Sequence, residues 1–317
     1  MKKLHISPAP HINSGVSTHN VMGDVAIALI PASIAAIALF GIKALLIILV
    51  CVASAVVSEY LFNVCAKQKQ TVRDLSAVVT GLILALNLSS KVELWQAAIG
   101  SAFAIIIVKC LFGGLGKNIA NPAIAARVFM LLTFGAVGGG ALPVTADKIL
   151  SLDIVAGATP LQYLNQGAGT AGIPSLMTLF LGNYGGTIGE TCTIALLLGF
   201  GYLVYRGIIK WYVPFAFVAT VFGCYLIYSK FDLTYSLSHV LAGGLLFGAI
   251  FMATDYVTTP LSNLGRVVFC IGCGLITFYI RQFGAYPEGV SISILAMNLL
   301  APMIEEFTQP KTLGGVK

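Results

Sequence analysis

The stretch Ala44-Leu45-Leu46-Ile47-Ile48-Leu49-Val50-Cys51-Val52-Ala53 contains no charged residue and lies within an apolar run over residues 43–65. A run of this length can cross the hydrocarbon core of a bilayer as one α-helix. Similar runs recur through the 317 residues, of which 58% are hydrophobic and only 9% charged, with a mean hydropathy of +0.93. A soluble domain could not cover so much apolar surface, so the sequence predicts an all-α polytopic membrane protein.

The apolar runs predict ten transmembrane helices. They lie at residues 24–41, 43–65, 74–89, 94–112, 122–138, 188–205, 211–229, 237–253, 265–281 and 290–307. The apolar segment 175–184 is too short to span a bilayer at 1.5 Å per residue, and it predicts a half-inserted or interfacial helix.

These spans divide the chain into five predicted parts. They are an N-terminal arm (1–23), a first transmembrane repeat (24–138), a loop with a short half-helix (139–187), a second repeat (188–307) and a C-terminal tail (308–317). With the N-terminus inside, thirteen Lys and Arg fall on inner connections and five on outer ones. This positive-inside bias predicts a multi-pass protein of the cytoplasmic (inner) membrane, with both termini in the cytoplasm and the 139–187 loop outside.

That count assigns Lys109 and Arg127 to inner connections and Arg281 to an outer one. The formal net charge of +6 is then explained by membrane orientation, and no nucleic-acid partner is expected.

A weak internal repeat accompanies the spans. Residues 76–83 resemble residues 238–245, and two halves of five spans each would have inverted topology. Inverted repeats place polar, broken helices near the midplane, where transported ions or buried ligands bind. Chance similarity between helices rich in small residues is the alternative.

Three polar blocks interrupt the apolar sequence, at residues 113–122, 182–191 and 253–260. We expect Glu190 to lie about one turn inside the sixth span, where a carboxylate is paired, protonated or part of an ion path. Oxygen-rich clusters suit a hard cation or the hydrogen-bonding edge of an aromatic cofactor. Helix capping and turns are the alternative for each block. The candidate flavin or ion contacts are Asn118, Asn121, Thr187, Glu190, Thr191, Asp255 and Thr259.

Metal and hydrolytic sites have little support in the sequence. Cys270 and Cys273 have redox or cluster spacing, but they lie in an apolar helix without a second cysteine pair nearby. No Ser-His-Asp arrangement or His-Glu-x-x-His motif is present. We therefore expect no metal site and no catalytic residue in this chain.

The four residues Gly157-Ala158-Thr159-Pro160, together with the three polar blocks in the same order, resemble a known family. It contains the B subunit of the sodium-pumping NADH:quinone reductase and the D subunit of the Rnf complex. The short N-terminal arm is more similar to the Rnf member. Ala156 departs from the hydroxyl residue that is common at the first position of the family's Ser/Thr-Gly-Ala-Thr motif.

The resemblance implies that a flavin transferase esterifies the phosphate of FMN to Thr159, and that a non-covalent riboflavin is a possible second cofactor. Local chemistry is compatible with this role for Thr159. Gly157 and Ala158 are small enough for a flavin donor to approach, and Pro160 favours an extended Thr159. We therefore expect the Thr159 hydroxyl to be exposed.

The resemblance further implies a membrane subunit of an ion-translocating ferredoxin:NAD oxidoreductase complex. Its partners would be the other subunits, the flavin transferase and Na⁺ or H⁺. One alternative is a small-solute channel or secondary transporter without a redox cofactor, and another is a scaffold that anchors redox partners.

Overall fold

The computed structural model describes residues 17–135, 140–144, 157–165, 174–284 and 288–309. Over these residues the regular structure is helical, apart from one isolated antiparallel pair between Ala141 and Gly186. The all-α prediction is confirmed for this part of the chain. Residue 156 and much of the predicted arm, loop and tail lie outside it.

The first half contains four helices. They are α1 (Thr18–Cys65), α2 (Ser76–Asn87), α3 (Leu94–Phe103), which continues as a π-helix (Ala104–Cys110), and α4 (Pro122–Phe134). A 3₁₀ turn (Val72–Asp74) precedes α2.

In the described part of the loop between the halves lie two short helices, α5 (Pro160–Asn165) and α6 (Leu176–Leu181). The second half contains α7 (Thr193–Tyr205), α8 (Tyr212–Tyr228), α9 (Leu233–Leu241), α10 (Leu245–Phe247), which continues as a π-helix (Gly248–Met252), α11 (Asn263–Phe283) and α12 (Val290–Thr308).

Helix α1 covers the first two predicted spans without a loop between them. Its 48 residues are interrupted at Gly41, whose φ of 69° and ψ of −158° are not helical. Glycine adopts such a backbone conformation readily because it has no Cβ. The boundary predicted near residue 42 therefore coincides with a kink at Gly41 that joins two helical parts of α1.

Only some of the helices at the ten predicted spans are long enough to cross a membrane alone, as judged over the described residues. Among the described residues, α1, α11 and α12 are each long and apolar enough to cross a membrane, and α9 with α10 adds a fourth candidate bent by 63°. The other predicted spans are occupied by apolar helices of 10–17 residues. The chain is a helical membrane protein, while the number of crossings and the inverted arrangement stay predictions.

Side-chain caps begin several of these helices where the sequence changes from polar to apolar. The Asn121 side chain accepts from the N–H groups of Ala123 and Ile124, which starts α4 at Pro122. Ser262 starts α11 in the same way, by accepting from Gly265 N. The first polar block therefore sets a helix boundary at Asn121, as its alternative interpretation expected, and a similar cap follows shortly after the third block.

The interior forms where α1 packs against α2, α3 and α7, and where α11 packs against α8 and α12. Three of the charges counted as lying in connections belong to this interior. Lys109, Arg127 and Arg281 are 2%, 6% and 1% exposed, so their assignment to inner and outer connections was wrong. Each has buried hydrogen-bond acceptors, which offset the loss of water. When these three residues are left out of the count of Lys and Arg, the predicted inner connections still carry more positive charge than the predicted outer ones.

Candidate functional site

Thr159 lies immediately before α5 and caps it. The Thr159 N–H donates to Gln162 Oε1 (3.1 Å), and the Gln162 N–H donates to Thr159 Oγ1 (3.3 Å). This reciprocal arrangement is a capping box. Thr159 is only 3% exposed, so the expected exposure of its hydroxyl was wrong. Pro160 is buried as well, whereas Ala158 is exposed and Gly157 half-buried.

The Thr159 segment packs against the second polar block through backbone contacts at Gly140 and Ala141. Gly157 N–H donates to Gly140 O (3.2 Å), and Ala141 exchanges two hydrogen bonds with Gly186 (3.2 and 3.1 Å). A Cβ added at Gly140 would lie 2.6 Å from Thr159 Cγ2. These contacts bring two of the sequence-predicted elements together, and Gly140 is a residue that the sequence did not single out.

Glu190 belongs to that block and is 4% exposed. One carboxylate oxygen, Oε1, accepts from Thr187 N–H (3.0 Å), while Oε2 has no hydrogen-bond partner among the described residues. The residue lies in a turn before α7, which begins at Thr193, so the helix starts later than the sixth predicted span and does not include Glu190. The depth of Glu190 in the membrane stays a prediction. The neighbouring Thr187 and Thr191 are also buried.

Backbone hydrogen bonds hold the Glu190 turn against the end of α2. Ile188 N–H donates to Leu88 O (2.9 Å), and Gly189 N–H donates to Leu86 O (2.7 Å). These bonds satisfy carbonyls that the last turn of a helix leaves without intrahelical partners.

A buried arginine lies close to Glu190. Arg127 donates to Asn87 Oδ1 and to Ser291 Oγ, each at 2.9 Å, and forms an ion pair with Glu288. A Cβ added at Gly244 would be 3.0 Å from Glu190 Oε2 and 3.7 Å from Arg127 Nη1, so both charged groups reach the same glycine. Burial and the neighbouring Glu190 raise the pKa of Glu288, and Arg127 opposes this shift. We call Arg127, Glu190 and Glu288 the charged cluster.

The first and third polar blocks also meet. Asn121 Nδ2 donates to Asp255 Oδ2 (3.3 Å), and the Thr258 hydroxyl donates to the same oxygen (3.0 Å). The Thr259 hydroxyl donates to the Asp255 carbonyl. Burial raises the pKa of Asp255, although hydrogen bonds from Val257 N–H and the Thr258 hydroxyl oppose the shift.

A cavity of about 80 Å³ borders this second cluster, and Lys109, Asn118, Asn121 and Asp255 contribute to its lining. Asn118 Oδ1 is buried without a partner among the described residues. Lys109 Nζ lies 2.7 Å from Glu59 Oε1 and 2.8 Å from Ser76 Oγ. The cavity therefore has polar groups from both halves of the chain.

Most of the charged site residues that were not among the sequence-based candidates could have been recognised from their position in the sequence. Glu59, Lys109 and Arg127 each lie inside a predicted apolar span, where an ionisable side chain is a candidate functional residue by default. Glu288 was not recognisable in this way because it belongs to a connection. Glu288 becomes part of the site only because the fold brings it to Arg127.

Comparison with known proteins identifies the relatives of this chain. The model of the NQR2, RnfD, RnfE family matches residues 5–314. The chain belongs to this family. It is 44% identical over 316 residues to the D subunit of the Na⁺-translocating ferredoxin:NAD⁺ oxidoreductase complex of Acetobacterium woodii, covering 99% of this chain and 96% of that protein.

Two further relatives carry related descriptions. The D subunit of the proton-translocating ferredoxin:NAD⁺ oxidoreductase complex of Clostridium ljungdahlii is 39% identical, over 98% of this chain and 96% of that protein. The D subunit of the ion-translocating oxidoreductase complex of Stutzerimonas stutzeri is 36% identical, over 94% and 92%. The family resemblance derived from the sequence is confirmed, and the relatives differ in the ion that their descriptions name.

Proposed function

We propose that this family member is the membrane subunit of an ion-translocating ferredoxin:NAD oxidoreductase complex and carries electrons through FMN esterified to Thr159. The full-length similarity to the D subunits of such complexes supports membership of the complex. The observation that carries the role of this chain is the pairing of Ala141 with Gly186, since it holds the Thr159 segment against the block that contains the buried Glu190.

The residues around Thr159 fit an attached flavin phosphate. The exposed Ala158 places the acceptor beside the protein surface, and Gly140 has no side chain that would clash with Thr159 Cγ2. The Gln162 N–H to Thr159 Oγ1 bond is long at 3.3 Å, so releasing this hydroxyl for modification disrupts one weak contact. Bound FMN would supply one- or two-electron redox chemistry, while the chain positions it.

Covalent flavin fluorescence tests this assignment. We expect the chain, co-expressed with a flavin transferase, to fluoresce in a denaturing gel, and Thr159→Ala to abolish the signal because the acceptor oxygen is gone. Thr178→Ala is the matched control, since it removes a threonine hydroxyl in α6 that is bonded only to the Ser175 cap among the described residues. An unchanged signal in Thr159→Ala would refute the attachment site.

We further propose the ten-span arrangement in two inverted repeats, with both termini cytoplasmic in the inner membrane and the Thr159 loop outside. Glu190 and Asp255 then serve as ion or flavin contacts in the coupling to Na⁺ or H⁺. Their burial, and the Glu190 oxygen without a hydrogen-bond partner among the described residues, support this role. Other subunits and a maturation transferase are its partners, and a riboflavin without assigned residues is a second proposed cofactor.

Ion transport tests the two carboxylates. In vesicles containing the assembled complex, the double variant Glu190→Gln/Asp255→Asn should keep covalent flavin but lose ferredoxin-driven ion uptake, because the carboxyl groups at the polar clusters are removed. Asp232→Asn is the control, as this side chain only caps α9. Full ion uptake by the double variant would exclude these carboxylates from coupling.

One observation favours a secondary transporter as the second candidate. The α9–α10 pair is bent by 63° next to Glu190, and broken helices line substrate sites in many transporters. Flavin fluorescence in a denaturing gel distinguishes the electron carrier from the transporter, because a transporter without a cofactor gives no covalent signal.

A further inference from the structure

A small cavity opens beside the connection between α7 and α8. Two cationic side chains, Lys210 and Arg266, contribute to its wall together with Tyr256 and Thr259. Ile209 and Val213 provide apolar surface on the same cavity. Its wall shares Ile208, Ile209, Thr254 and Tyr256 with the cavity near Asn118, but Lys210 and Arg266 line this cavity alone of the two. It lies apart from the charged cluster and has a basic and an apolar side.

Neither cation has a carboxylate partner within salt-bridge distance among the described residues. Lys210 Nζ donates to the amide oxygen of Asn263 (2.6 Å), and Arg266 Nε donates to the carbonyl of Pro260 (3.1 Å). Both acceptors are neutral. The nearby Arg206 differs, because it pairs with Asp24 at 3.0 Å. The cavity therefore retains positive charge that this part of the chain does not neutralise.

The acidic side chains near this cavity are bonded to groups other than Lys210 and Arg266. The Glu305 carboxylate accepts from Leu261 N–H (2.7 Å) and lines a different cavity. Asp255 is bonded to Asn121 and Thr258. Arg266 is the fourth residue of α11, and the partial positive charge at a helix N-terminus disfavours a cation there. A bound anion would relieve this repulsion.

The surroundings identify the kind of anion. Tyr205 and Trp211, on either side of the α7–α8 connection, are 87% and 60% exposed, as is typical of aromatic residues at the membrane–water interface. In the first turns of α8 and α11, Phe215 and Leu264 are 63% exposed. An anion bound at this level would have apolar helix surface beside it.

We propose that the surface at the mouth of this cavity binds the headgroup of an anionic phospholipid, with its phosphate contacting Lys210 and Arg266 and an acyl chain along α8 and α11. The cavity itself, at about 20 Å³, is too small to enclose the phosphate. Guanidinium and ammonium groups are the usual protein ligands of phosphate, and Arg266 can donate to it with nitrogens other than Nε. Neither the flavin on Thr159 nor the ion coupling is needed for this site, so it can be tested independently of the proposed function.

Native mass spectrometry of the delipidated full chain in detergent tests the proposal. We expect phosphatidylglycerol to bind more tightly than phosphatidylcholine with the same acyl chains. Lys210→Gln or Arg266→Gln should weaken phosphatidylglycerol binding roughly fivefold, and the double variant about 25-fold, since each cation contributes comparably near a membrane surface. Arg266→Lys should recover part of the loss in Arg266→Gln.

Lys230→Gln is the matched control, because it removes one exposed lysine at the other end of α8 and should leave binding unchanged. Gel filtration and thermal denaturation check that each variant is folded. Equal binding of the two lipids by the wild type, or unchanged phosphatidylglycerol binding by the folded double variant, would overturn the proposal. Displacement of the lipid by millimolar inorganic phosphate would also overturn it and assign the site to a soluble anion.

Discussion

Arg127 illustrates how a single residue in an apolar helix can depend on distant parts of the chain. Its guanidinium reaches Asn87 at the end of α2, Ser291 in α12, and Glu288 just before α12. A buried cation without such partners would be strongly destabilising, whereas a fully hydrogen-bonded one is tolerated. Arg127 therefore links α4 to the end of α2 and to the start of α12, two segments that are far from it in sequence.

Replacing Arg127 tests this dependence. Arg127→Met should lower the free energy of unfolding by about 3–5 kcal/mol, because it leaves the largely buried Glu288 carboxylate without its cation. Denaturant unfolding in detergent measures the loss. Arg127→Met/Glu288→Gln should recover most of it, and Arg206→Met, at an exposed pair, should have little effect. A double variant as unstable as the single one would contradict the ion-pair explanation.

Thr159 shows how far local sequence reasoning reached. The family resemblance selected the residue, but its exposure was mispredicted from Gly157, Ala158 and Pro160 alone. Thr159-Pro160-Leu161-Gln162 also has the Thr-x-x-Gln spacing of a capping box, and that signal indicates an occupied hydroxyl. The packing of Gly140 on Thr159 could not be predicted, because it joins residues from separate parts of the loop.

At the scale of elements, hydropathy located the helices well and their interruptions less well. The break in α1 at Gly41 falls at the predicted boundary between two spans. In contrast, the eighth predicted span is two helices with a bend at Ala242–Gly244, where Gly243 has a φ of 73°. The apolar residues continue through this bend, so hydropathy alone does not predict it.

The interruption in α1 gives a prediction for the whole element. Gly41→Ala should destabilise the protein by about 1–3 kcal/mol, because the Gly41 backbone conformation is strained for any residue with a Cβ. Gly23→Ala is the control within the same helix, since a Cβ there meets only Leu75 Cδ1 at 3.8 Å. Thermal denaturation of both variants in detergent makes the comparison, and equal stability would argue against strain at Gly41.

At the scale of the whole molecule, the class of fold follows from composition and the arrangement of helices does not. Apolar runs are local properties and can be counted along the chain. The meeting of Asn121 with Asp255, and of Glu190 with Arg127 at Gly244, depends on which helices pack together. The polar blocks therefore marked many of the residues of the site, while their grouping into two clusters came from tertiary structure.

The hydrogen bonds from Ile188 and Gly189 to the end of α2 also constrain the order of assembly. During synthesis, the carbonyls of Leu86 and Leu88 are made well before the N–H groups from which they accept. Carbonyls at a helix end that have no intrahelical partner need another donor until then. The native end of α2 is therefore completed only once the segment that introduces the second half has been made.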